Sequence, residues 1–155
     1  MPLQFTASEY FDLPKEKVFE GLTDLDAAKH WMSGYINIEK LKGTRIEPGA
    51  EWRETRKMFG RSASEVFEVV SVIPGREIKL RVDGSKGTSK KGEYLFQYLL
   101  EEKNGGTDVT LNGEIGGVRG FAAFMGKLFI GSFKKACLKD LRALKAYLEA
   151  QKIQQ

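Results

Sequence analysis

Five consecutive links between residues 42 and 107 of this chain are short enough for hairpins, and one long helical run follows them. Hairpin links force neighbouring strands to run antiparallel. The segments involved are residues 35–42, 51–59, 62–73, 77–83, 93–102 and 107–115, separated by turn signals at Pro48-Gly49, Gly60, Pro74-Gly75, Gly84–Lys91 and Asn104-Gly105-Gly106. Ile78, Leu80 and Val82 alternate with Glu77, Lys79, Arg81 and Asp83, the signature of a strand with one buried face. Tyr94, Phe96, Tyr98 and Leu100 share a face in the same way, and so do Ile36 and Ile38. A sheet with one apolar face needs a second layer, and only helices are left to supply it.

Residues 120–153 read as one helix of about 50 Å. Its apolar residues come in two groups: Phe121, Phe124, Met125, Leu128 and Phe129, then Cys137, Leu141, Leu144 and Leu148, with Phe133 between. At 100° per residue the groups centre on nearly opposite sides. The helix therefore bends near Gly131-Ser132 or meets two different surfaces. Glycine within a helix costs about 1 kcal/mol relative to alanine. Gly120, Gly126 and Gly131, with Gly116 and Gly117 just before them, thus favour an opening, and a gate is expected in the N-terminal half.

At the other end, Gln4–Phe11 reads as a strand and Pro14 as the first residue of a short helix carrying Val18, Phe19 and Leu22. Thr23 or Asp24 then caps a second short helix reaching about Met32. The reading is an α+β chain forming one domain, 1–155: seven antiparallel strands, two short helices between strands one and two, and a long C-terminal helix.

Totals narrow the function. Hydrophobic residues make up 41% and charged residues 30%, ordinary for a globular domain. No apolar run approaches the roughly 20 residues that span a bilayer. The first residues, MPLQFTASEYF, lack the basic-then-apolar pattern of a secretory signal, so the cytoplasm is the expected compartment. Cys137 is the only cysteine and His30 the only histidine, which excludes an internal disulfide and argues against a metal site. Cys137 sits on an apolar stripe and reads as a small buried hydrophobe. No phosphate loop or dinucleotide fingerprint is present, so no cofactor is expected. Residues 119–155 hold eight basic residues against Asp140 and Glu149, a local +6. This face reads as a solvated surface that admits transient contact with an anionic membrane. Without aromatic residues interleaved on an exposed sheet, it does not point to nucleic acid.

The element order, with Leu13-Pro14 to Val18-Phe19, Leu22-Thr23-Asp24, Trp31, Pro48–Gly60, Glu68-Val69-Val70 with Pro74, Gly105-Gly106-Thr107 and Asp140-Leu141 to Tyr147-Leu148, resembles the START-like helix-grip superfamily. The bacterial polyketide cyclase/dehydrase and lipid-transport branch (SRPBCC) is the nearest likeness. The resemblance covers nearly the whole chain and rests more on the order of elements than on any short string. It implies a curved sheet gripping the last helix around an apolar cavity that holds a hydrophobic small molecule, such as a lipid, polyketide or aromatic metabolite. It names no ligand.

Within that frame, Trp52 and Met58 share strand parity with Glu54 and Arg56. If Trp52 faces the helix, the two ions face it as well, and buried ions are costly unless paired. They either pair or bind the polar end of a ligand; a twist or bulge that puts them in water at the rim is the plainer alternative. Tyr94, Phe96 and Tyr98 supply aromatic lining, Trp31 joins them, and Phe121, Phe124, Met125, Leu128 and Phe129 guard the cavity end. A carrier or sensor stands first. The alternatives are a cyclase/dehydratase using Glu54 as base with Arg56 or a tyrosine steadying an enolate, and an interaction module of a toxin-like or chaperone-associated kind.

Overall fold

A computed structural model describes residues 3–58, 60–117 and 121–153, the side chains at 121–129 and 153 excepted. Strands β1 (Leu3–Phe11), β2 (Tyr35–Lys42), β3 (Glu51–Met58), β4 (Arg61–Ile73), β5 (Glu77–Asp83), β6 (Glu93–Lys103) and β7 (Gly106–Gly116) form one antiparallel sheet in the order β1-β7-β6-β5-β4-β3-β2. Helix α1 (Lys15–Thr23) and a 3₁₀ turn (Leu25–His30) carry the chain from one sheet edge to the other, and α2 spans Phe121–Ile153. This is the α+β helix-grip architecture expected from the sequence.

Local chemistry explains the junctions. Pro14 is extended and stands one position before α1, not inside it, and its carbonyl accepts from the Lys17 and Val18 amides. Asp24 caps the 3₁₀ turn, its Oδ1 accepting from the Asp26 amide at 3.0 Å and the Ala27 amide at 3.3 Å. That turn stops at His30, short of the Met32 expected for a helix. A single core then joins Phe11, Val18, Trp52, Ile78 and Val109 to Leu141 and Leu144 of α2.

Two departures from simple alternation have a common cause. Alternation puts Ile36 inside with Ile38, yet Ile36 is 50% exposed while Ile38 packs on the core. The β2–β3 register shifts between Tyr35 and Asn37, which turns Ile36 outward. A shift between Val69 and Ser71 on β4 likewise leaves Val70 exposed. The Gly84–Lys91 loop, which reads from its composition as a mobile hairpin tip, is tied to β4. The Thr88 amide donates to the Ser64 carbonyl and the Ser64 amide to Thr88 Oγ1, both at 2.8 Å.

Two glycines are dictated by close approach. A Cβ at Gly113 would overlap the Phe5 ring, and one at Gly87 would overlap Glu65 Oε2. The expected gate rests on Phe121, Phe124, Met125, Leu128 and Phe129, whose side chains lie outside the described residues, and the expected change of face along α2 lies outside them too.

Candidate functional site

The register of the central strands lays out the concave face as a grid. Trp52 stands opposite Phe67, Glu54 opposite Glu65 and Arg56 opposite Ala63 across β3–β4. Val82, Leu80 and Ile78 stand opposite Tyr94, Phe96 and Tyr98 across β5–β6. All of these line a void of about 160 Å³, closed from the other side by Phe133, Ala136, Cys137, Asp140 and Leu141 of α2 and by Leu22, Trp31 and Met32. Met58 belongs to the same lining. Two larger hollows, about 490 and 370 Å³, include exposed side chains such as Val70 and Leu95 in one and Gln151 and Lys152 in the other.

One wall is aromatic. Trp52 stacks on Phe67 with centroids 5.2 Å apart and planes 7° apart, and Phe67 stacks on Phe96 at 6.1 Å. Phe96 meets Phe133 of α2 at 6.2 Å, and Phe133 meets Phe5 edge-on at 5.4 Å. Rings in such offset and edge contacts gain beyond their area burial.

The second feature is ionic. Arg56 Nε donates to Glu54 Oε2 at 2.7 Å and its Nη1 to Asp140 Oδ2 at 2.5 Å. The side chains are 14%, 7% and 12% exposed, so the rim placement is overturned: β3 keeps its alternation here and both ions point inward. Asp140 Oδ1 accepts in addition from the Ser33 amide at 3.0 Å and the Ser33 hydroxyl at 2.8 Å. Glu54 Oε1 receives Trp52 Nε1 at 3.5 Å, a long contact. Burial alone would pull the Arg56 guanidinium down, but the Glu54 and Asp140 carboxylates outweigh it and hold the group above its ordinary value. Arg56 therefore stays charged.

Burial, and then Cys137 and Asp140, raise the Tyr98 hydroxyl above its ordinary value. Burial first and then Asp140 push the Cys137 thiol up to about 12, which keeps it protonated near neutral pH, although the residue is half-buried and not fully buried as its place on the apolar stripe suggests. Tyr94 is committed elsewhere: its hydroxyl donates to Ser89 Oγ at 2.7 Å, and the Ser89 amide donates to Glu65 Oε1 at 2.8 Å. Trp31 is only 8% exposed and its Nε1–H has no acceptor among the described residues. A buried donor left so costs roughly 1–3 kcal/mol.

Of the residues singled out from the sequence, the structure brings Trp31, Trp52, Glu54, Arg56, Met58, Tyr94, Phe96 and Tyr98 together around the void. It adds Glu65, Phe67 and Asp140, which sequence reasoning passed over. Asp140 carried a signal: it lies three residues after Cys137 and four before Leu144, on the apolar stripe of α2. An acid at such a position needs a partner.

A sheet curved around a helix with a partly polar hollow between them defines a helix-grip binding fold. The model of the polyketide cyclase / dehydrase and lipid transport family matches residues 2–149, and the chain belongs to that family. Membership supports a ligand-binding or polyketide cyclase-like function. No curated protein matches. Among solved structures, TTHA0849 from Thermus thermophilus superposes with a TM-score of 0.79 at 16% identity, covering 96% of this chain and 99% of that one. Major latex-like protein 151 from Panax ginseng gives 0.76 at 12% identity, covering 95% and 97%. DynU16, a protein in the dynemicin biosynthetic locus, gives 0.70 at 19% identity, covering 94% of this chain and 47% of that one. At these identities the likeness shows the fold. Among the described residues no helix is long and apolar enough to cross a membrane.

Proposed function

We propose that this chain, acting as one domain, binds a hydrophobic small molecule in the hollow between sheet and α2, as a carrier or sensor. The observation that carries the reading is a void of about 160 Å³ with an aromatic wall and a buried ion-paired cluster. A void of similar size lined by apolar side chains accepts benzene, so the volume suits a compound of one or two rings. Trp52, Phe96 and Met58 would pack against the ring, with Tyr94 beside them, while Trp31, Arg56 and Tyr98 would meet its polar atoms. Acid–base catalysis through Glu54 would have to break the 2.7 Å pair with Arg56, which favours holding a ligand over turning one over. The compartment that fits the reading is the cytoplasm, with the lysines of α2 available for passing contact with an anionic membrane.

Native mass spectrometry of protein purified from its own cells tests this. The expected result is a 1:1 adduct of a small organic molecule that is lost on denaturation. Protein of bare mass only, which also gains no thermal stability from a panel of aromatic compounds, would contradict it.

A further inference from the structure

The donors and acceptors around the void point to the chemistry that it would hold. The carboxyl groups are largely engaged: Asp140 accepts from Arg56 and twice from Ser33, Glu54 accepts from Arg56 and distantly from Trp52, and Glu65 Oε1 accepts from Ser89. The second Glu65 oxygen has no partner among the described residues, but Gly87 packs so closely on it that not even a Cβ would fit between them. The donors are in the opposite position. Trp31 Nε1 is buried without an acceptor among the described residues. Arg56 uses Nε and Nη1, and its Nη2 donates to no described residue. The Tyr98 hydroxyl, on a half-buried residue of the same lining, also makes no hydrogen bond to a described residue. Charge makes a second selection. Glu54, Glu65 and Asp140 line the void against the single guanidinium of Arg56, so an anion entering this low-dielectric space meets an excess of carboxyl groups.

Resting on the binding role proposed above, we infer that the hollow selects a neutral, ring-sized molecule bearing a carbonyl-type acceptor, which takes the Trp31 Nε1–H, with Arg56 Nη2 and the Tyr98 hydroxyl as the further donors of the same void. A carboxylate of the same size is turned away by the carboxyl excess. An ammonium is attracted by the same excess but finds few open acceptors, since Glu54 and Asp140 already accept from Arg56 and Glu65 Oε1 from Ser89, and it loses its hydration without replacement bonds. Trp31 thereby sets specificity through its N–H, separately from the packing of its ring.

The experiment uses four matched probes, acetophenone, ethylbenzene, benzoate and benzylamine, titrated into the ¹⁵N-labelled full chain at neutral pH. Acetophenone is expected to move the Trp31 indole N–H resonance downfield, and ethylbenzene is not. Trp31→Phe keeps a ring and removes the donor; it should weaken acetophenone about fivefold, the worth of one neutral hydrogen bond, and leave ethylbenzene unchanged. Benzoate and benzylamine should bind more weakly than acetophenone. The inference is overturned if either charged probe binds as well as the ketone. It is equally overturned if the indole resonance is indifferent to the carbonyl, or if Trp31→Phe weakens ketone and hydrocarbon alike. The wild-type resonance decides the matter even if the variant does not fold. Binding of ethylbenzene with no advantage from the carbonyl sinks this inference and leaves the hollow as a binding site; failure of all four probes sinks both.

Discussion

Two parts of the hollow's lining are held by different physics. The aromatic wall of Trp52, Phe67, Phe96 and Phe133 is built from contacts that each contribute a little and tolerate small shifts. In the Glu54–Arg56–Asp140 cluster both carboxylates depend on one shared cation. Buried pairs add little net stability over a well-packed apolar alternative, but removing one member strands a charge. The wall therefore sets the size of an occupant, whereas the ionic cluster fixes how β3 is placed against α2.

The sharpest way to break this contrast is Arg56→Ala. It leaves two buried carboxylates without their shared cation and should destabilise the chain by about 3–5 kcal/mol in chemical denaturation. A loss below about 1 kcal/mol would mean that water reaches these groups and that the two parts do not differ. Trp52→Ala should cost a little less, about 3–4 kcal/mol, and differ in kind: the hollow grows, so a bulky aromatic ligand should restore part of the lost thermal stability, as it should not for Arg56→Ala. Ser33→Ala removes one hydroxyl bond to Asp140 while the Ser33 amide remains, and about 1–2 kcal/mol is expected.

The smallest effect concerns Cys137. Its folded-state pKa is raised to about 12 from an ordinary value of 9.0, so its contribution is complete below pH 9 and is lost as pH rises toward 12. Native protein at about pH 8 should resist alkylation that denatured protein undergoes readily. Cys137→Ala should lessen the fall of stability between pH 9 and 12, on which Tyr98 acts in the same direction. Rapid alkylation of the folded chain under the same conditions would show that this stretch of α2 is open to water.

Much of this was legible in residue order. The hairpin links dictate the antiparallel sheet, and strict alternation on β3 and β6 puts Trp52, Glu54 and Arg56, then Tyr94, Phe96 and Tyr98, on one face. Period-two alternation holds wherever register is regular. It failed at Ile36, where a bulge adds a residue that no local pattern announces. Asp140 was missed because its partner lies 84 residues away, and a charge on a helix reads as solvent-facing until the opposing strand is known. Glu65 was missed for a related reason: its role depends on the Ser89 loop folding back over β4, and glycine and serine in a loop read as mobile.

The most direct measurement is crystallography of the chain under xenon pressure. A void of this size bounded by apolar rings takes up xenon, so a xenon peak is expected between Trp52, Phe96 and Phe133, close to the Arg56 ion cluster but not on it. Side chains interlocked through that volume, with no xenon inside the sheet, would contradict it.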